Sequence, residues 1–425
     1  MKRLLIVLAF VLVVSTVFYG CRKSNKSKVT TIQFMETLTS PERTKFVKEL
    51  ISDFELKNKD TKVELISEPW EQAHDKIITL SAANQLPDVI EMAANWVSEI
   101  GATGKIENLQ PYFNKWDKKD TLTETSLKLG KSYKNTLYVI PHSLYFQAMY
   151  YRSDWFKAAG IAVPKTTEEF FNTSKKITDK SKNRYGYSFR GGAGCWTLMS
   201  NFIMTNGGFT NYFDKNGKSV FRKPESVEAF KKFTDMYFNA SPKDALNWGY
   251  AETVDAFTSG NTALIIQDSE VIKSCEEKMA KGTFETGLAP VGPDGKRYLQ
   301  GGYVGFSMTS TSEKKDAAWK FISYMMSPEV NLKWGVKNSV IPSTKVPADS
   351  VDFKKGFISA YTNTLEDKNT VLFSAPEYLP EWGEFTGKTA AQELQSYLLK
   401  KQTAQETMNN ISTYLENANA KYNKK

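Results

Sequence analysis

The sequence has few cysteines and histidines, and this scarcity limits the chemistry it can support. It contains three Cys and two His in 425 residues. Cys195 and Cys275 are too few for a disulfide scaffold and form no CxxC pair for zinc or redox chemistry. With only His74 and His142, a histidine-rich metal site is excluded. We therefore expect no metal, no cofactor and two buried thiols, although their spacing leaves open whether Cys195 and Cys275 pair.

The body of the chain also lacks an excess of either charge. The formal net charge is +9, but residues 1–28 carry six Lys or Arg and no acid, and the last nine residues carry three Lys. The stretch between them, 29–416, holds 47 basic and 47 acidic residues. Nucleic-acid binding depends on many Lys and Arg contacts to phosphate, so we expect no nucleic-acid partner.

A long apolar run lies at the N-terminus. Residues 1–20 have a basic start, an apolar run and a small residue before Cys21, which is the three-part plan of a secretory signal peptide. Gly20 followed by Cys21 resembles a bacterial lipobox, in which the cysteine is lipidated, although Phe18 and Tyr19 depart from the usual pattern. An uncleaved membrane anchor is the alternative, because residues 4–21 carry no charge.

The export signal predicts where the rest of the chain resides. Residues 21–28 form a lipidated N-terminus and a solvated, basic tether in this interpretation. We expect the protein outside the cytoplasm, in the periplasm or on the outer face of the cytoplasmic membrane, anchored through Cys21. The full sequence is 41% hydrophobic and 13% aromatic, a composition typical of a folded protein rather than a disordered one.

The body begins with strands and helices in alternation. Strands are predicted at 30–35, 62–67 and 87–92, where β-branched and apolar residues cluster. A helix is predicted from the capping residues Ser40-Pro41, and a second over 70–84. This order predicts an α/β fold with a parallel sheet.

Ligands of such sheets bind beyond the carboxyl ends of the strands. Glu36 follows the first predicted strand, Trp70 the second, and Asn95 and Trp96 the third. We expect these polar and aromatic side chains to line a crevice.

Several longer segments carry a family resemblance. They are YKNTLYVIPHSLYFQAMYYRSD at 133–154, AFTSGNTAL at 256–264, PVGP at 290–293, GGY at 301–303 and the helix over 317–326 followed by SPE. In this order they resemble bacterial extracellular solute-binding proteins of the sugar-binding type. The resemblance extends from about residue 30 to beyond residue 380, and the ordered set is more specific than any single motif.

The resemblance implies a two-lobed periplasmic-binding-protein fold with discontinuous lobes and a three-segment hinge. Lobe I would comprise 29–145 plus 287–324, and lobe II 146–286 plus 325–425. The hinge segments would lie at 145–147 and near Ala289 and Met325. It also implies the sugar-binding subunit of an ABC importer, which captures its ligand between the lobes, acts as a monomer and docks on a membrane permease.

A sugar site needs flat aromatic side chains and paired hydrogen-bond donors and acceptors. We expect the tryptophans in polar or Gly-rich contexts to be stacking platforms, with half-buried packing as the alternative for each. They are Trp70, Trp96, Trp196, Trp248 and Trp382. The other four, Trp116, Trp155, Trp319 and Trp334, are expected to be structural.

The expected polar contacts come from both lobes and from the hinge. They are Glu36, Asn95, Tyr145, Gln147, Arg190, Gly192, Asp268, Ser269, Glu270, Gly301, Gly302 and Tyr303. The glycines around Gly192 would let backbone N–H groups approach a hydroxyl closely, and GGY at 301–303 would let the hinge close, although a tight turn explains those glycines equally well.

Two rival functions remain open from sequence. An exported glycan-active enzyme needs only two suitably placed carboxyl groups, but no GxSxG or HExxH signature is present, so we expect no enzyme activity. A binding protein for a polyol phosphate or a peptide is the other alternative. No GxxxxGK[ST] phosphate loop occurs in the chain, so ATP hydrolysis would belong to another subunit.

Overall fold

The first three strands lie where the sequence predicts them. The computed structural model describes residues 29–345 and 353–423, and the export signal, Cys21 and the tether lie outside these ranges. Strands β1 (Thr30–Glu36), β2 (Thr61–Ser67) and β3 (Val89–Ala93) run parallel, with β1 between the other two. Ser40 caps the following helix by accepting a hydrogen bond from the Arg43 N–H. The parallel α/β start of the fold is therefore confirmed.

The remaining strands complete three sheets. They are β4 (Ile140–Tyr145), β5 (Ala148–Tyr151), β6 (Tyr185–Tyr187), β7 (Thr262–Gln267), β8 (Glu285–Gly287), β9 (Arg297–Gln300), β10 (Gly302–Met308), β11 (Ile341–Pro342) and β12 (Thr370–Phe373). The first sheet has the order β11-β4-β10-β3-β1-β2 and the second β6-β7-β5-β8, while β12 pairs with β9.

Helices cover both main sheets. They are α1 (Pro41–Lys57), α2 (Trp70–Ala82), α3 (Val97–Ala102), α4 (Gln110–Lys115), α5 (Glu124–Gly130), α6 (Ser153–Ala159), α7 (Thr167–Lys176), α8 (Cys195–Gly207), α9 (Pro224–Ala240), α10 (Tyr250–Thr258), α11 (Val271–Lys278), α12 (Lys315–Met325), α13 (Pro328–Asn338), α14 (Ser359–Glu366), α15 (Trp382–Glu384), α16 (Ala390–Leu398) and α17 (Ala404–Asn423). A 3₁₀ turn, Ala94–Trp96, precedes α3, and a π-helical turn, Phe385–Thr389, joins α15 to α16. None of the helices within the described residues is long and apolar enough to cross a membrane.

The two main sheets define two lobes, and the chain passes between them more than once. Phe146 and Gln147 connect β4 of the first sheet to β5 of the second. The return passes through Gly301, between β9 and β10, and not near Ala289 as expected. Ala289 remains beside the second lobe, where its carbonyl accepts a hydrogen bond from Arg297 Nε.

The third passage also lies elsewhere than expected. Met325 is the last residue of α12. Phe321 of this helix packs against Phe34 in the core of the first lobe. Ile341 of β11 pairs with Leu144 of β4, so the chain is still on the first sheet at this point. This differs from the expected second-lobe assignment of residues 325–342, because Trp334 and β11 complete the first core rather than the second. The passage falls between β11 and α14, a stretch described only in part.

The C-terminal helical stretch is divided in two. Helix α16 ends at Leu398, and α17 begins at Ala404. Lys400 adopts a left-handed conformation with φ of 59° at this break. The two helices pack against each other and against α9 in the second lobe.

Candidate functional site

Four buried side chains of the first lobe form a charged network at the carboxyl end of its sheet. We call Glu36, Arg43, Glu91 and His142 the first wall. Glu36 ends β1 and accepts hydrogen bonds from the hydroxyl groups of Thr44 (2.7 Å) and Ser67 (2.6 Å). Burial raises its pKa despite these bonds and despite Arg43 Nη1 at 3.8 Å.

Glu91 is the centre of the first wall. Its carboxylate pairs with the Arg43 guanidinium and accepts hydrogen bonds from the backbone N–H groups of Thr37 (2.9 Å) and Leu38 (3.2 Å). Burial opposes its ionisation, but Arg43 and the hydrogen bond from His142 outweigh that effect and hold the pKa of Glu91 well below its usual range. Glu91 is therefore a buried carboxylate with a full set of partners.

His142 is held on the other side of Glu91. Its Nε2 lies 2.9 Å from Glu91 Oε1 and its Nδ1 lies 2.8 Å from Ser143 Oγ. Because burial lowers the pKa of His142, the ring is neutral, and the geometry fits an Nε2–H that donates to Glu91 while Nδ1 accepts from the Ser143 hydroxyl. Trp334 Nε1 donates to the same Ser143 oxygen (3.2 Å) and its ring packs under Arg43.

Three carboxyl groups of the second lobe form the opposite side. We call Asp268, Glu270 and Glu377 the second wall. Asp268 and Glu270 follow β7, as predicted, and burial and their mutual repulsion raise the pKa of Asp268 to about 7 although Arg190 opposes this. Burial also raises the pKa of Glu270. Burial raises the pKa of Glu377 to about 8, with one opposing hydrogen bond to the Gln300 side chain.

The two walls touch at Glu270. Its Oε1 accepts a hydrogen bond from the Tyr145 hydroxyl (3.1 Å), at the end of the first lobe's strand β4. The same oxygen lies 3.9 Å from Arg43 Nε. The structure therefore brings together Glu36 and Arg43 of the first lobe, Tyr145 at the first passage and Glu270 of the second lobe, whereas Asn95 lies beside Gly383.

A polar chain runs along the passages between the lobes. Gln147 Oε1 accepts from Asn201 Nδ2 (2.9 Å), and Asn201 Oδ1 accepts from the backbone N–H of Gln300 (2.9 Å). Gly301 comes next, and a Cβ at this position would lie 3.1 Å from the Phe146 ring. The Gly301 backbone thus passes close to the first connection, while Gly302 and Tyr303 start β10, with the Tyr303 hydroxyl 3.3 Å from Ser132 Oγ.

Two of the predicted platforms lie together at the edge of the first lobe. Trp70 and Trp96 stack with ring centroids 4.6 Å apart. The His74 ring also stacks on Trp96, with a centroid distance of 5.7 Å. Trp96 is buried and Trp70 is half-buried. Their indoles support each other in the 3₁₀ turn and the first turn of α2.

Trp382 begins α15 in the second lobe. It is 1% exposed and packs against Tyr212 and Phe385. Its indole Nε1 has no hydrogen-bond partner among the described residues. A buried indole N–H without a partner costs about 1–3 kcal/mol, so this donor is available to a polar group of a ligand.

Trp196 is not a platform. It is fully buried in the second core, between Phe221 and Phe385, and its Nε1 donates to the Tyr212 hydroxyl (3.0 Å). The prediction fails because the Gly-rich context is not a surface loop: it begins α8, whose residues are almost all buried. The polar and Gly-rich residues next to Trp196 in the sequence therefore did not indicate that its side chain is buried.

The prediction that the Gly192 N–H donates to a ligand is also wrong. Its N–H donates to the Trp248 carbonyl (2.9 Å), and a Cβ here would lie 2.7 Å from the Asn247 oxygen. The glycine allows two backbone segments to pack closely, and its N–H is already used. Gly194 leaves room for Arg190, whose Nε donates to the Ala193 carbonyl (2.7 Å).

The remaining predicted residues lie in or beside the second lobe. Trp248 is half-buried against its core, and Ser269 is buried at the start of α11. Cys195 and Cys275 are both buried free thiols, and burial raises the pKa of each to about 12. Within 29–345 and 353–423, no cluster of three or more metal-ligating side chains is found.

The sequence prediction missed several residues of the walls. Arg43 precedes the apolar position Phe46 by three residues on α1, so its helical position already placed it on the buried face. Glu91 is a charged residue inside an otherwise apolar strand, which is also a readable signal. Glu377 and Asn201 gave no such signal, because their burial arises from the packing of distant segments.

Four buried polar atoms, in the first wall or in residues close in sequence to the second wall, have no hydrogen-bond partner among the described residues. They are Glu36 Oε2, Arg43 Nε, Gln267 Nε2 and Trp382 Nε1. They include both an acceptor and donors, and they belong to both lobes. Such a set can exchange hydrogen bonds with a ligand that offers hydroxyl groups on more than one side.

Comparison with known proteins decides the family. The family model described as bacterial extracellular solute-binding protein matches residues 39–332. The chain belongs to this family. The match covers both walls apart from Glu36 and Glu377, and it includes the passages at Gln147 and Gly301.

Relatives in sequence extend over most of the chain. YcjN of Escherichia coli K12, whose name describes an ABC transporter periplasmic-binding protein, is 24% identical and covers 82% of this chain and 81% of its own. The maltotriose-binding protein of Pyrococcus abyssi is 26% identical and covers 66% of this chain and 60% of its own.

Solved structures share the two-lobed fold. The ABC substrate-binding protein of Listeria monocytogenes in complex with cycloalternan has a TM-score of 0.81 at 20% identity, covering 92% of this chain and all of its own. Maltose-bound MalE3 of T. maritima has a TM-score of 0.79 at 19% identity, covering 91% and 99%. The predicted fold class and family are confirmed.

Proposed function

We propose that this solute-binding protein is the extracytoplasmic carbohydrate-binding component of an ABC importer. The observation that carries the proposal is the set of four unpartnered buried polar atoms, two from each lobe. A sugar or polyol offers hydroxyl groups that both donate and accept, so a single ligand could satisfy atoms of both lobes. Relatives named for maltotriose and for erythritol or L-threitol binding support this ligand class.

The mechanism follows from a site shared between two lobes. A ligand that contacts Arg43 and Glu36 on one side and Trp382 on the other binds the closed arrangement better than the open one. It therefore shifts the population towards the closed form. The closed form would then deliver the sugar to a membrane permease, which is a separate subunit.

The charge of the walls argues against a polyol phosphate. Arg43 is already paired with Glu91 and lies near Glu36 and Glu270. The two walls together hold five carboxyl groups, and a phosphate dianion would be repelled by nearby ones that are ionised. A neutral polyhydroxylated ligand meets no such repulsion. The same carboxyl groups could serve an enzyme, but membership of a binding-protein family favours capture without turnover.

Anchoring and localisation remain proposals from the leader sequence. Cys21 would carry the lipid, and residues 21–28 would hold the two lobes close to the outer face of the membrane. Incorporation of labelled palmitate that is lost in Cys21→Ser would support the anchor. We propose a monomer, because one chain supplies both walls of the crevice.

The ligand class is tested by binding. A panel of monosaccharides, oligosaccharides and polyols is screened for an increase in the melting temperature of the purified protein, and affinities are measured by calorimetry. Trp382→Phe keeps an aromatic side chain but removes the unpartnered Nε1–H, so we expect at least tenfold weaker binding, about 1.4 kcal/mol.

Trp116→Phe is the matched control, because Trp116 lies in the core of the first lobe. It should leave affinity unchanged. Absence of a shift with every sugar and polyol, or hydrolysis of an oligosaccharide during the assay, would contradict the proposed function.

A further inference from the structure

The lobes also meet directly through a second contact, besides the one at Tyr145 and Glu270. The short helix α15 of the second lobe packs against α3 and the 3₁₀ turn Ala94–Trp96 of the first. The Ser98 hydroxyl donates to the Leu379 carbonyl (2.7 Å), and both groups are buried. The backbone connections between the lobes lie elsewhere, at Phe146 and Gln147, at Gly301, and between β11 and α14. This contact is therefore made through space.

Gly383 is the point of closest approach in this contact. An added Cβ would lie 2.6 Å from Glu99 Oε2, 3.0 Å from His74 Nε2 and 3.3 Å from the Asn95 carbonyl oxygen. All three atoms belong to the first lobe, whereas Gly383 belongs to a helix packed in the second. A side chain at 383 would therefore press against the opposite lobe rather than against its own.

The first-lobe atoms that face Gly383 have contacts within their own lobe. His74 Nε2 lies 2.9 Å from Glu99 Oε2, and the His74 ring stacks on Trp96. Glu99 can move, because it is the end of a flexible and partly exposed side chain, but moving it breaks its contact with His74. The Asn95 oxygen is backbone and cannot move without disturbing the 3₁₀ turn.

We propose that Gly383 sets how far the two lobes close, and that its lack of a side chain allows the first lobe's His74–Glu99 pair to seat against α15. Trp382, the neighbouring residue, carries an unpartnered buried donor. The same short helix therefore offers a ligand contact and the lobe contact on adjacent residues. Ligand contact and closure are then mechanically linked. The inference concerns lobe closure and does not depend on which ligand the protein binds.

A second glycine provides a matched control. Gly387 lies four residues further along, in the π-helical turn, and a Cβ there would meet no atom within 4 Å. Ala or Val at 383 and at 387 changes the helix in the same way, but only the change at 383 meets the other lobe. Any difference between the paired variants reports the lobe contact and not helix propensity.

The experiment measures the separation of the lobes. Spin labels are placed through Lys48→Cys on α1 and Lys232→Cys on α9, both exposed, in a Cys21→Ser background; Cys195 and Cys275 are buried. Double electron–electron resonance gives the distance distribution without ligand and with maltose, maltotriose, mannitol or erythritol. Melting temperatures confirm that each variant is folded.

We expect Gly383→Val to shift the distribution towards the open form relative to Gly387→Val, with a smaller shift for Gly383→Ala. Binding of a sugar from this panel should weaken about tenfold in Gly383→Val and remain unchanged in Gly387→Val. Adding Glu99→Ala should restore closure in Gly383→Ala, since it removes the nearest atom.

Distributions that are the same for the 383 and 387 variants in every arm would overturn the inference. If no sugar of the panel binds, the proposed ligand class fails separately, and the ligand-free distributions alone decide the role of Gly383.

Discussion

Both walls contain buried carboxyl groups, but folding shifts the pKa of Glu91 in the first wall and of Glu377 in the second wall in opposite directions. In the first wall, Glu91 is ionised and has Arg43, His142 and two backbone N–H groups as partners. In the second wall, burial raises the pKa of Asp268 to about 7 and of Glu377 to about 8. Glu91 of the first wall is a fully partnered carboxylate, whereas Asp268 and Glu377 of the second wall, like Glu36 of the first, have a raised pKa.

This difference has consequences for stability as a function of pH. A carboxyl group whose pKa is lowered by folding stabilises the fold above its unfolded pKa, and this contribution is lost as the pH falls. A carboxyl group whose pKa is raised has the opposite effect, because the folded state holds a proton that the unfolded chain has released. Glu91 therefore belongs to the first kind, and Glu377 to the second.

The largest expected effect is in the first wall. Glu91→Gln keeps the shape but leaves the buried Arg43 guanidinium without its main anionic partner, so we expect a loss of about 3–5 kcal/mol in the free energy of unfolding. Urea denaturation at pH 7 measures it. Asp60→Asn, which removes the exposed partner of Lys320, is the control and should barely move the midpoint. A loss below about 1 kcal/mol would mean that Glu36 and Glu270 can replace Glu91.

The next effect should be in the second wall and of opposite sign. Between its unfolded pKa near 4.5 and its folded pKa of about 8, Glu377 makes the protein less stable as the pH rises. Glu377→Gln removes this cost, so we expect the variant to gain on the order of 3 kcal/mol relative to wild type between pH 5 and pH 8.

Urea midpoints of the ligand-free protein at both pH values give the comparison. Glu384→Gln, an exposed carboxyl group of the same segment, should follow the wild type. Parallel curves for Glu377→Gln and wild type would show that Glu377 ionises without penalty.

The smallest effect concerns the place where the walls meet. Tyr145→Phe removes the hydroxyl that donates to Glu270 across the lobes, and we expect a loss of about 1 kcal/mol in ligand binding, or roughly fivefold. Calorimetry of Tyr145→Phe, Glu270→Gln and the double variant tests it as a cycle. Additive losses would mean that the two residues act independently and that this contact does not link the walls.

Much of the first lobe could be predicted from local patterns. The strands over 30–36, 61–67 and 89–93 follow from β-branched runs between helical stretches, and Ser40 is readable as a cap. Glu36, at the end of the first strand, lies beside Arg43, which reaches Glu270 of the second lobe, because parallel strands end on one side of a sheet. In this lobe, the position of a residue along its strand is enough to predict at which edge of the sheet it lies.

The second lobe was harder to predict from the sequence. Trp196 and Trp382 occur in similar polar contexts, yet one donates its indole N–H inside a core and the other has no partner. The assignment of 325–342 failed for a related reason, since helix periodicity does not say which sheet a helix covers. Both outcomes depend on which distant segments pack together.

The sequence by itself determined the α/β class, the neutral body, the export signal as an expectation and the family, because these depend on composition, periodicity and the order of motifs. Only the tertiary structure decided the pairing of Arg43 with Glu91, the burial of Glu377 and the approach of Gly383 to the opposite lobe. The physical reason is that partner distances and desolvation arise from residues far apart in the chain. Those two quantities set the charge state of each wall.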